Sequence, residues 1–521
     1  MRPVRRATLP VLVAEEIRRD IVHESLEAGG RLPTENELTK LLGVSRTVVR
    51  EALRILEGQG WIKFIFSGGA YVMDSEKISQ KTVAYFEKEK TLELLEQEIS
   101  QLDEEGKDVT GEIKERFRRL KKEGSPEEID GFYNSLESLE KRRDYRYEEP
   151  SEIGQIRKET PEVETTFLKI SDEDVLYDGI YGAWLGRCIG CILGKPVEGW
   201  PRKEIENYLK ATDSYPLQDY FFYAPDKISN NEYPFHPLVK ESTRGNITHM
   251  TRDDDLDYTI LNLRLIEENG LKFTTEDVGE EWLLNLPYRR LCTAERQAYS
   301  NLMRGLRPPT TAIYRNPFRE WVGAQIRADV FGYVAPGNPE LASSLAFKDA
   351  SLSHTKNGIY GEMFIAAAIS AALVSDDLKK VINAGLSRVP EKSRLTEVVK
   401  NVLNWSKKAA NWQEVWQKVM ERYGNYHIVH TLPNLAFVLL GLIWGELDFR
   451  KTVSIAVMCG LDTDCNGATA GSILGALKGT KGIPKEMSEP LNDRIKSAVF
   501  EYSDMKISDL AKKTFGLALN K

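Results

Sequence analysis

The sequence predicts a mainly α-helical protein built in three parts. Apolar residues recur at helical spacing in several stretches of the 521-residue chain, as they do on one face of a helix. Long alternating runs that would indicate a large sheet are missing, and a chain of this length suggests about three units. Changes in composition divide the chain into three parts. These are an N-terminal domain at residues 1–75, a charged helical linker at 76–171 and an all-α domain at 172–521.

The first 75 residues have the pattern of helix, turn, helix and wing. Residues 9 to 28 predict a helix, and Thr34 with Glu37 forms a capping box that opens a second helix. Ser45 is the expected N-cap of a third helix. Two short apolar runs on either side of Gly68 then predict a β-hairpin. This order predicts a winged helix-turn-helix.

The stretches 31–35 and 43–56 resemble the GntR family of bacterial winged-helix regulators, in the letters RLPTE and GVSRTVVREALRIL. The resemblance implies that operator DNA is a partner and that the third helix reads the major groove. The implied DNA-binding residues are Ser45, Arg46, Thr47 and Arg50. The alternative is that these side chains only decorate an exposed helix. Gly68 stands where the family usually has a wing arginine.

Residues 76 to 150 are rich in charge, with apolar positions spaced three and four apart. Two interpretations remain open. The segment forms a coiled-coil spacer that helps a homodimer to pair its DNA-binding heads, or it is a linker that packs on the next domain.

Two acidic stretches, 251–257 and 460–469, each precede a helical pattern. The positive end of a helix dipole favours carboxylates there, and hard oxygen ligands suit Mg²⁺, Mn²⁺ or Ca²⁺. An N-cap cluster without metal is the alternative. We interpret the pair as one divalent-metal site, with candidate ligands Asp253, Asp254, Asp255, Asp462 and Asp464.

These stretches resemble the two signatures of the ADP-ribosylglycohydrolases, Thr-Asp-Asp-Thr and Asp-Thr-Asp-Thr. The second is matched from Asp462, with Cys465 in the place of the last threonine. The first is matched by the run that begins with Asp253, and Thr251 is a competing start. The resemblance implies two Mg²⁺ ions, with Cys465 as a further ligand whose neutral thiol weakens one of them.

The resemblance extends to a helix with glycines at 182, 186, 190 and 194 that leads to Glu198, and Cys191 stands where the family often has aspartate. Glu198 and Asp255 are the implied catalytic carboxylates, and the loop of Glu198 can alternatively act as a lid. A later element implies contacts with substrate from His354, Asn357 and Gly358, the last two in a tight turn.

Such a site implies cleavage of a glycosidic bond at an ADP-ribose-like or nucleoside-like ribose, through an oxocarbenium-like state. Two functions remain: a transcriptional regulator with an active glycohydrolase domain, or a ligand-sensing transcription factor whose domain binds ribosyl ligands without turnover. The aspartates favour the enzyme, whereas Asp253, Cys465 and the DNA-binding head favour the sensor.

The remaining composition predicts a cytoplasmic protein without membrane contact. The formal charge of −8 argues against general coating of nucleic acid, and five cysteines imply no disulfide framework. The basic N-terminus lacks the apolar stretch of a signal peptide, and the longest apolar runs are shorter than the roughly 20 residues that span a bilayer.

Overall fold

The structure of the chain is a computed structural model, which describes residues 9–10, 13–14, 16–17, 31–58, 61–65, 69–72, 75–161, 172–228, 233–235 and 237–519. The described residues are mainly helical, which confirms the predicted fold class. They divide into two compact units. The first unit comprises the described residues up to Asp103 together with Lys107–Glu140. The second unit comprises Glu104–Gly106 and the described residues from Lys141 onward.

The first unit begins with a winged helix-turn-helix. Its elements are α1 (Glu35–Leu42), α2 (Arg46–Gly58), β1 (Ile62–Ile65) and β2 (Gly69–Val72). The capping box of Thr34 and Glu37 is present at the start of α1, and Gly43 ends that helix with a φ of 65°. The two strands pair antiparallel, from Ile62 opposite Val72 to Ile65 opposite Gly69. The predicted helix over 9–28 is helical at its described residues, and its remainder and the tip of the wing lie outside them.

Three further helices complete this unit: α3 (Ser75–Glu104), α4 (Gly111–Glu123) and α5 (Pro126–Ser135). The apolar residues of α3 that suggested a coiled coil are buried within the chain, together with apolar residues of α4 and α5. This small core contains Leu92, Leu95, Ile99, Leu102, Phe117, Leu120, Ile129 and Phe132. These apolar residues therefore pack against other helices of the same chain.

The second unit is a helical domain with one large core. Its helices are α6 (Ile153–Glu159), α7 (Glu173–Gly194), α8 (Arg202–Ala211), α9 (Asp254–Asn269), α10 (Thr275–Asn285), α11 (Thr293–Met303), α12 (Thr310–Ile313), α13 (Asp329–Tyr333), α14 (Pro339–Ala350), α15 (Lys356–Ala372), α16 (Leu378–Leu386), α17 (Arg394–Ser406), α18 (Trp412–Tyr423), α19 (Thr431–Trp444), α20 (Phe449–Met458), α21 (Thr463–Lys478), α22 (Lys485–Ser488) and α23 (Ile507–Leu519). A short antiparallel pair, β3 (Arg494–Lys496) and β4 (Asp504–Lys506), precedes the last helix.

The centre of this domain is the antiparallel pair α7 and α21, which touch through glycines. A β-carbon on Gly182 would lie 2.5 Å from the carbonyl oxygen of Gly475, and one on Gly186 would lie 2.2 Å from that of Gly471. No side chain fits between the two backbones at these positions. The predicted glycine ridge is thus the contact surface of the central helix pair.

The turn predicted at Asn357 and Gly358 is wrong, because both residues lie in the first turn of α15. Asn and Gly are also common in surface turns, so the sequence pattern does not distinguish such a turn from this buried helix start. Among the described helices, none is both long and apolar enough to cross a bilayer.

Candidate metal centre

The antiparallel packing of α7 and α21 brings the C-terminal end of one helix to the N-terminal end of the other. The Thr463 hydroxyl, at the start of α21, donates a hydrogen bond of 2.8 Å to the carbonyl oxygen of Gly194, the last residue of α7. Glu198 follows α7 after one short 3-10 turn, and Asp462 immediately precedes α21. Two acidic residues far apart in sequence therefore meet because glycines let the helices approach.

The loops that carry these two residues are hydrogen-bonded to each other. The Gly199 amide donates to the carbonyl oxygen of Leu461 at 2.9 Å, and the Leu461 amide donates to that of Trp200 at 3.3 Å. Gly460 has a φ of 81°, and a β-carbon there would lie 2.8 Å from the carbonyl oxygen of Trp200, so glycine is required at this crossing. The main chain thus fixes Glu198 beside Asp462.

The third contribution comes from the start of α9. Asp253 is its N-cap, and one carboxylate oxygen accepts a hydrogen bond of 3.1 Å from the Asp255 amide. Both acidic stretches therefore open helices, as the sequence predicts. Thr251, the competing start of the first motif, is buried with its hydroxyl 3.2 Å from that of Ser242.

Among the residues that the structure describes, potential metal-ligand atoms converge in two groups, and the atoms of each lie within 4.8 Å of one another. One group contains oxygens of Glu198, Asp462 and Asp464. The other contains the Cys191 sulfur with oxygens of Asp253, Asp255 and Asp464. Asp464 belongs to both groups, so they form one continuous acidic cluster that could hold metal.

Mutual repulsion dominates the electrostatics of this cluster. The negative charge of Asp464 raises the pKa of Glu198 well above its usual range. Burial and the same Asp464 charge raise the pKa of Asp255 in the same direction. Burial followed by the charge of Asp253 raises the pKa of Asp464 itself to about 6. Carboxylates held so close together need protons or bound cations to offset their charges.

One aspartate of the cluster already has a cation beside it. The Lys195 ammonium forms an ion pair with Asp253 and donates a hydrogen bond of 3.0 Å to the carbonyl oxygen of Arg252. Burial alone would raise the pKa of Asp253, but the Lys195 charge outweighs it and the pKa is lowered. The Lys195 charge thus favours the ionised form of Asp253.

A buried arginine holds Asp255 from the other side. The Arg187 side chain is fully buried, and its Nη2 donates to the main-chain oxygen of Asp255 at 2.7 Å. The same nitrogen lies 3.3 Å from a carboxylate oxygen of Asp255, and Nη1 lies 2.8 Å from Asp329. This fork fixes both the main chain and the carboxylate at the start of α9.

Two residues predicted as ligands lie outside both groups of converging atoms. Cys465 is buried and follows Asp464 in the first turn of α21, and its amide donates to the Asp464 carboxylate at 3.0 Å. Asp254 is half-buried at the start of α9. Their ligand roles stay predictions. Cys191, which stands where the family often has aspartate, contributes the thiol of the second group.

The residues predicted to contact substrate, His354, Asn357 and Gly358, lie in the interior. The ring of His354 is hydrogen-bonded to the Ser353 hydroxyl at 2.8 Å. The Asn357 amide group donates to Glu149 and to Glu320, both at 2.8 Å. These contacts give both side chains structural partners, and their contact with a ligand stays a prediction.

The residues predicted to bind DNA are all on the exposed face of α2 or just before it. Ser45, Arg46, Thr47 and Arg50 are exposed, whereas Val49 on the opposite side is fully buried. Glu35 in α1 accepts hydrogen bonds from Nε of Arg46 at 2.9 Å and from Nη2 of Arg50 at 2.9 Å. One carboxylate therefore orients both guanidinium groups at the start of α2.

Comparisons with known proteins agree with both parts of this description. The family model "ADP-ribosylglycohydrolase" matches residues 172–519, more than half of the chain, so the chain belongs to that family. The model "Bacterial regulatory proteins, gntR family" matches residues 11–72. The protein is accordingly a GntR-type regulator segment fused to an ADP-ribosylglycohydrolase-family domain.

Individual relatives match one part or the other. An uncharacterized protein of Archaeoglobus fulgidus is 26% identical over 321 residues, which cover 60% of this chain and 90% of the relative. The uncharacterized HTH-type transcriptional regulator YcbG of Bacillus subtilis is 46% identical over 71 residues, 14% of this chain and 30% of the relative. The Uxu operon transcriptional regulator of Escherichia coli is 43% identical over 63 residues, 12% of this chain and 24% of the relative.

A solved structure titled "ADP-ribosylglycohydrolase-related protein complex" is similar at 17% identity and a TM-score of 0.40, covering 66% of this chain and all of that one. The match to the regulators spans less than a third of their own length.

Proposed function

We propose that the protein is a DNA-binding transcriptional regulator whose C-terminal domain is a Mg²⁺-dependent hydrolase of a ribosyl glycosidic bond, with an ADP-ribosyl or related group as substrate. The observation that carries this proposal is the convergence of Glu198, Asp462 and Asp464 from two loops that the main chain holds together. Membership of the ADP-ribosylglycohydrolase family supports the substrate class.

The donor set of this group fits a hard divalent cation. All three donors are carboxylate oxygens, and the negative charge of Asp464 raises the pKa of Glu198 beside it. A bound Mg²⁺ would bind vicinal ribose hydroxyls and activate water. Little of either aspartate is in contact with solvent, since Asp462 is 8% exposed and Asp464 is 5% exposed. Both carboxylates are therefore available as ligands inside the cluster.

Glu198 and Asp255 have different access to a substrate. Glu198 is exposed at the end of its short turn, whereas Asp255 is 4% exposed and is held by Arg187. A substrate can therefore reach the Glu198 carboxylate, which would stabilise developing positive charge at the ribose or move a proton at the leaving atom. Asp255 then serves to position the cluster.

For the N-terminal part, we propose that Ser45, Arg46, Thr47 and Arg50 contact operator DNA. Their exposure on one face of α2 and the match to the gntR family support this role. A homodimer on a palindromic operator is the corresponding assembly.

A sensor without turnover is the second candidate function. The observation in its favour is the Cys191 group, in which a thiol and the Lys195 ammonium stand among the carboxylates. A cluster with fewer bound cations would bind a ribosyl ligand but activate water poorly.

Hydrolysis of ADP-ribosyl substrates by the full chain, with Mg²⁺ and with EDTA, tests the proposal. We expect Mg²⁺-dependent release of the leaving group, and its loss in Asp464→Asn. Asp448→Asn is the matched control, because Asp448 is a helix N-cap outside the cluster and asparagine caps equally well. A wild-type chain that binds ADP-ribose without turnover would instead support the sensor.

A further inference from the structure

The two ligand groups of the acidic cluster differ in the chemistry of their donors. The group of Glu198, Asp462 and Asp464 contains oxygen donors alone. The other group adds the Cys191 sulfur, a soft donor that suits Mg²⁺ poorly. The two groups are therefore unequal as sites for a hard cation.

The group with the thiol also has a cation of its own. Lys195 follows α7 directly, so the packing of α7 against α21 holds its main chain in place. Its ammonium forms the ion pair with Asp253 and donates to the Arg252 carbonyl oxygen. Only 19% of the Lys195 side chain and 5% of that of Asp253 are exposed, so water screens the pair weakly.

A divalent ion in this group would bring two positive charges close to the ammonium. The ion would also have to take Asp253 away from Lys195, which would leave a buried ammonium without its carboxylate. Both effects oppose the binding of a second ion. The first group, by contrast, has no lysine or arginine in an ion pair with any of its three carboxylates among the described residues.

We propose that the centre binds one divalent ion, at Glu198, Asp462 and Asp464, and that the Lys195 ammonium takes the place of a second ion beside Asp253. The inference rests on the proposed function in one respect, namely that the carboxylate cluster holds metal at all. It assigns Lys195 a positioning role: its ion pair with Asp253 holds the start of α9 close to Asp464.

The test is the number of Mn²⁺ ions bound by the full chain, measured by equilibrium dialysis and by electron paramagnetic resonance. We expect one ion per wild-type chain, with the six-line spectrum of an isolated Mn²⁺. We expect two ions, with a spin-coupled spectrum, in Lys195→Met, which keeps the length of the side chain but removes its charge. Cys191→Asp alone should still bind one ion, because the ammonium remains.

Lys210→Met is the matched control, because Lys210 forms an exposed pair with Glu206 on α8 and should leave the count at one. Two ions in the wild type would overturn the inference while leaving the metal centre in place. No bound ion in the wild type would overturn the metal dependence of the proposed function itself. One ion in Lys195→Met, or two in Cys191→Asp, would show that the ammonium does not exclude the second ion. The wild-type count tests the proposal even if a variant fails to fold.

Discussion

Gly190 of α7 and Gly467 of α21 are packed back to back, so closely that a β-carbon on Gly190 would lie 1.9 Å from the carbonyl oxygen of Gly467. The obstacle on each side is backbone, which cannot rotate away as a side chain can. The contact lies one turn from the C-terminal end of α7, which leads to Glu198, and one turn from the start of α21, which carries Asp464. The geometry of the acidic cluster therefore depends on glycine at both positions, because any side chain there would push the two helices apart.

Gly190→Ala should destabilise the second unit by about 3 kcal/mol or more, because overpacking here has to separate two helices. Gly516→Ala is the matched control, since Gly516 also lies in a helix and a β-carbon there meets nothing within 4 Å. It should stabilise the protein by up to about 1 kcal/mol, as expected for glycine replaced in a helix. Urea unfolding followed by circular dichroism measures both. Equal stability of the two variants would contradict the close contact.

The local features of this centre can be predicted from the sequence, whereas its long-range pairings cannot. Asp253 and Asp462 stand before apolar helical patterns, and the four-residue spacing of glycines predicts a close helix contact. By contrast, nothing near Lys195 indicates that its ammonium meets Asp253, 58 residues away. Such a pairing is decided by tertiary packing, which leaves no periodic signal in either segment.

Glu149 shows the same limit in the segment that composition assigns to a linker. Its carboxylate accepts hydrogen bonds from Arg394 at 2.8 Å and from Asn357 at 2.8 Å. A proline and a serine follow it, and these indicate a break in the helical pattern but not a buried ion pair. The residues from Lys141 onward accordingly belong to the larger structural unit, although the family match begins at residue 172.

Metal binding should stabilise the second unit in a way that depends on Asp462 and Asp464. At a Mg²⁺ concentration 100 times the dissociation constant, the gain in unfolding free energy is about 2.7 kcal/mol. We expect that Asp462→Asn combined with Asp464→Asn abolishes this gain, because two charged ligands are lost. Thermal unfolding with and without Mg²⁺ measures it. Asp254→Asn should reduce the gain less, since Asp254 lies outside both groups of converging atoms. A full Mg²⁺ response in the double variant would contradict the site.

The DNA-binding face should be sensitive to Arg46 and Arg50 individually. Arg46→Ala and Arg50→Ala should each weaken binding to a palindromic operator by about 1 to 3 kcal/mol if the guanidinium contacts a base edge. Arg54→Ala is the control, because Arg54 is exposed on the same helix but lies beyond the first turns. Fluorescence anisotropy on operator and random DNA measures the difference. An equal loss on both DNAs would indicate contacts with phosphate alone.

Stability should fall in acid through the buried pair of Glu149 and Arg394. Burial raises the pKa of Glu149, but the charge and hydrogen bonds of Arg394 outweigh it and lower the pKa to about 2 from 4.5. A depressed pKa stabilises the folded state above pH 4.5, and the contribution is lost as the pH falls towards 2. Glu149→Gln should therefore destabilise the protein by about 3 kcal/mol near neutral pH, because a buried charge loses one partner.

The same variant should also show a weaker loss of stability between pH 4.5 and 2, measured by urea unfolding at a series of pH values. Glu391→Gln is the control, since Glu391 forms an exposed pair with Lys400 and such pairs contribute little. A wild-type slope in Glu149→Gln across this range would show that another carboxylate is responsible.

Ligand binding at the acidic cluster should be coupled to DNA binding in the full chain. The motivation is that one chain joins a GntR-type segment to an ADP-ribosylglycohydrolase-family domain. A ligand can change the affinity for DNA only if it binds two conformations of the chain unequally. Linkage then requires operator DNA to change the affinity for the ligand by the same factor, on the order of five- to 150-fold in coupled systems.

Glu198→Gln separates this coupling from catalysis. The substitution removes the carboxylate charge but keeps Asp462, Asp464 and, in the new amide, an oxygen that can still ligate the ion, so ligand should still bind while turnover is lost. Titration of ADP-ribose into the variant, with and without operator DNA, measures the coupling factor in both directions. The same factor in the variant and the wild type would show that sensing needs no hydrolysis. If ADP-ribose binds but alters the DNA affinity of neither protein, the two domains are joined in sequence without regulating each other.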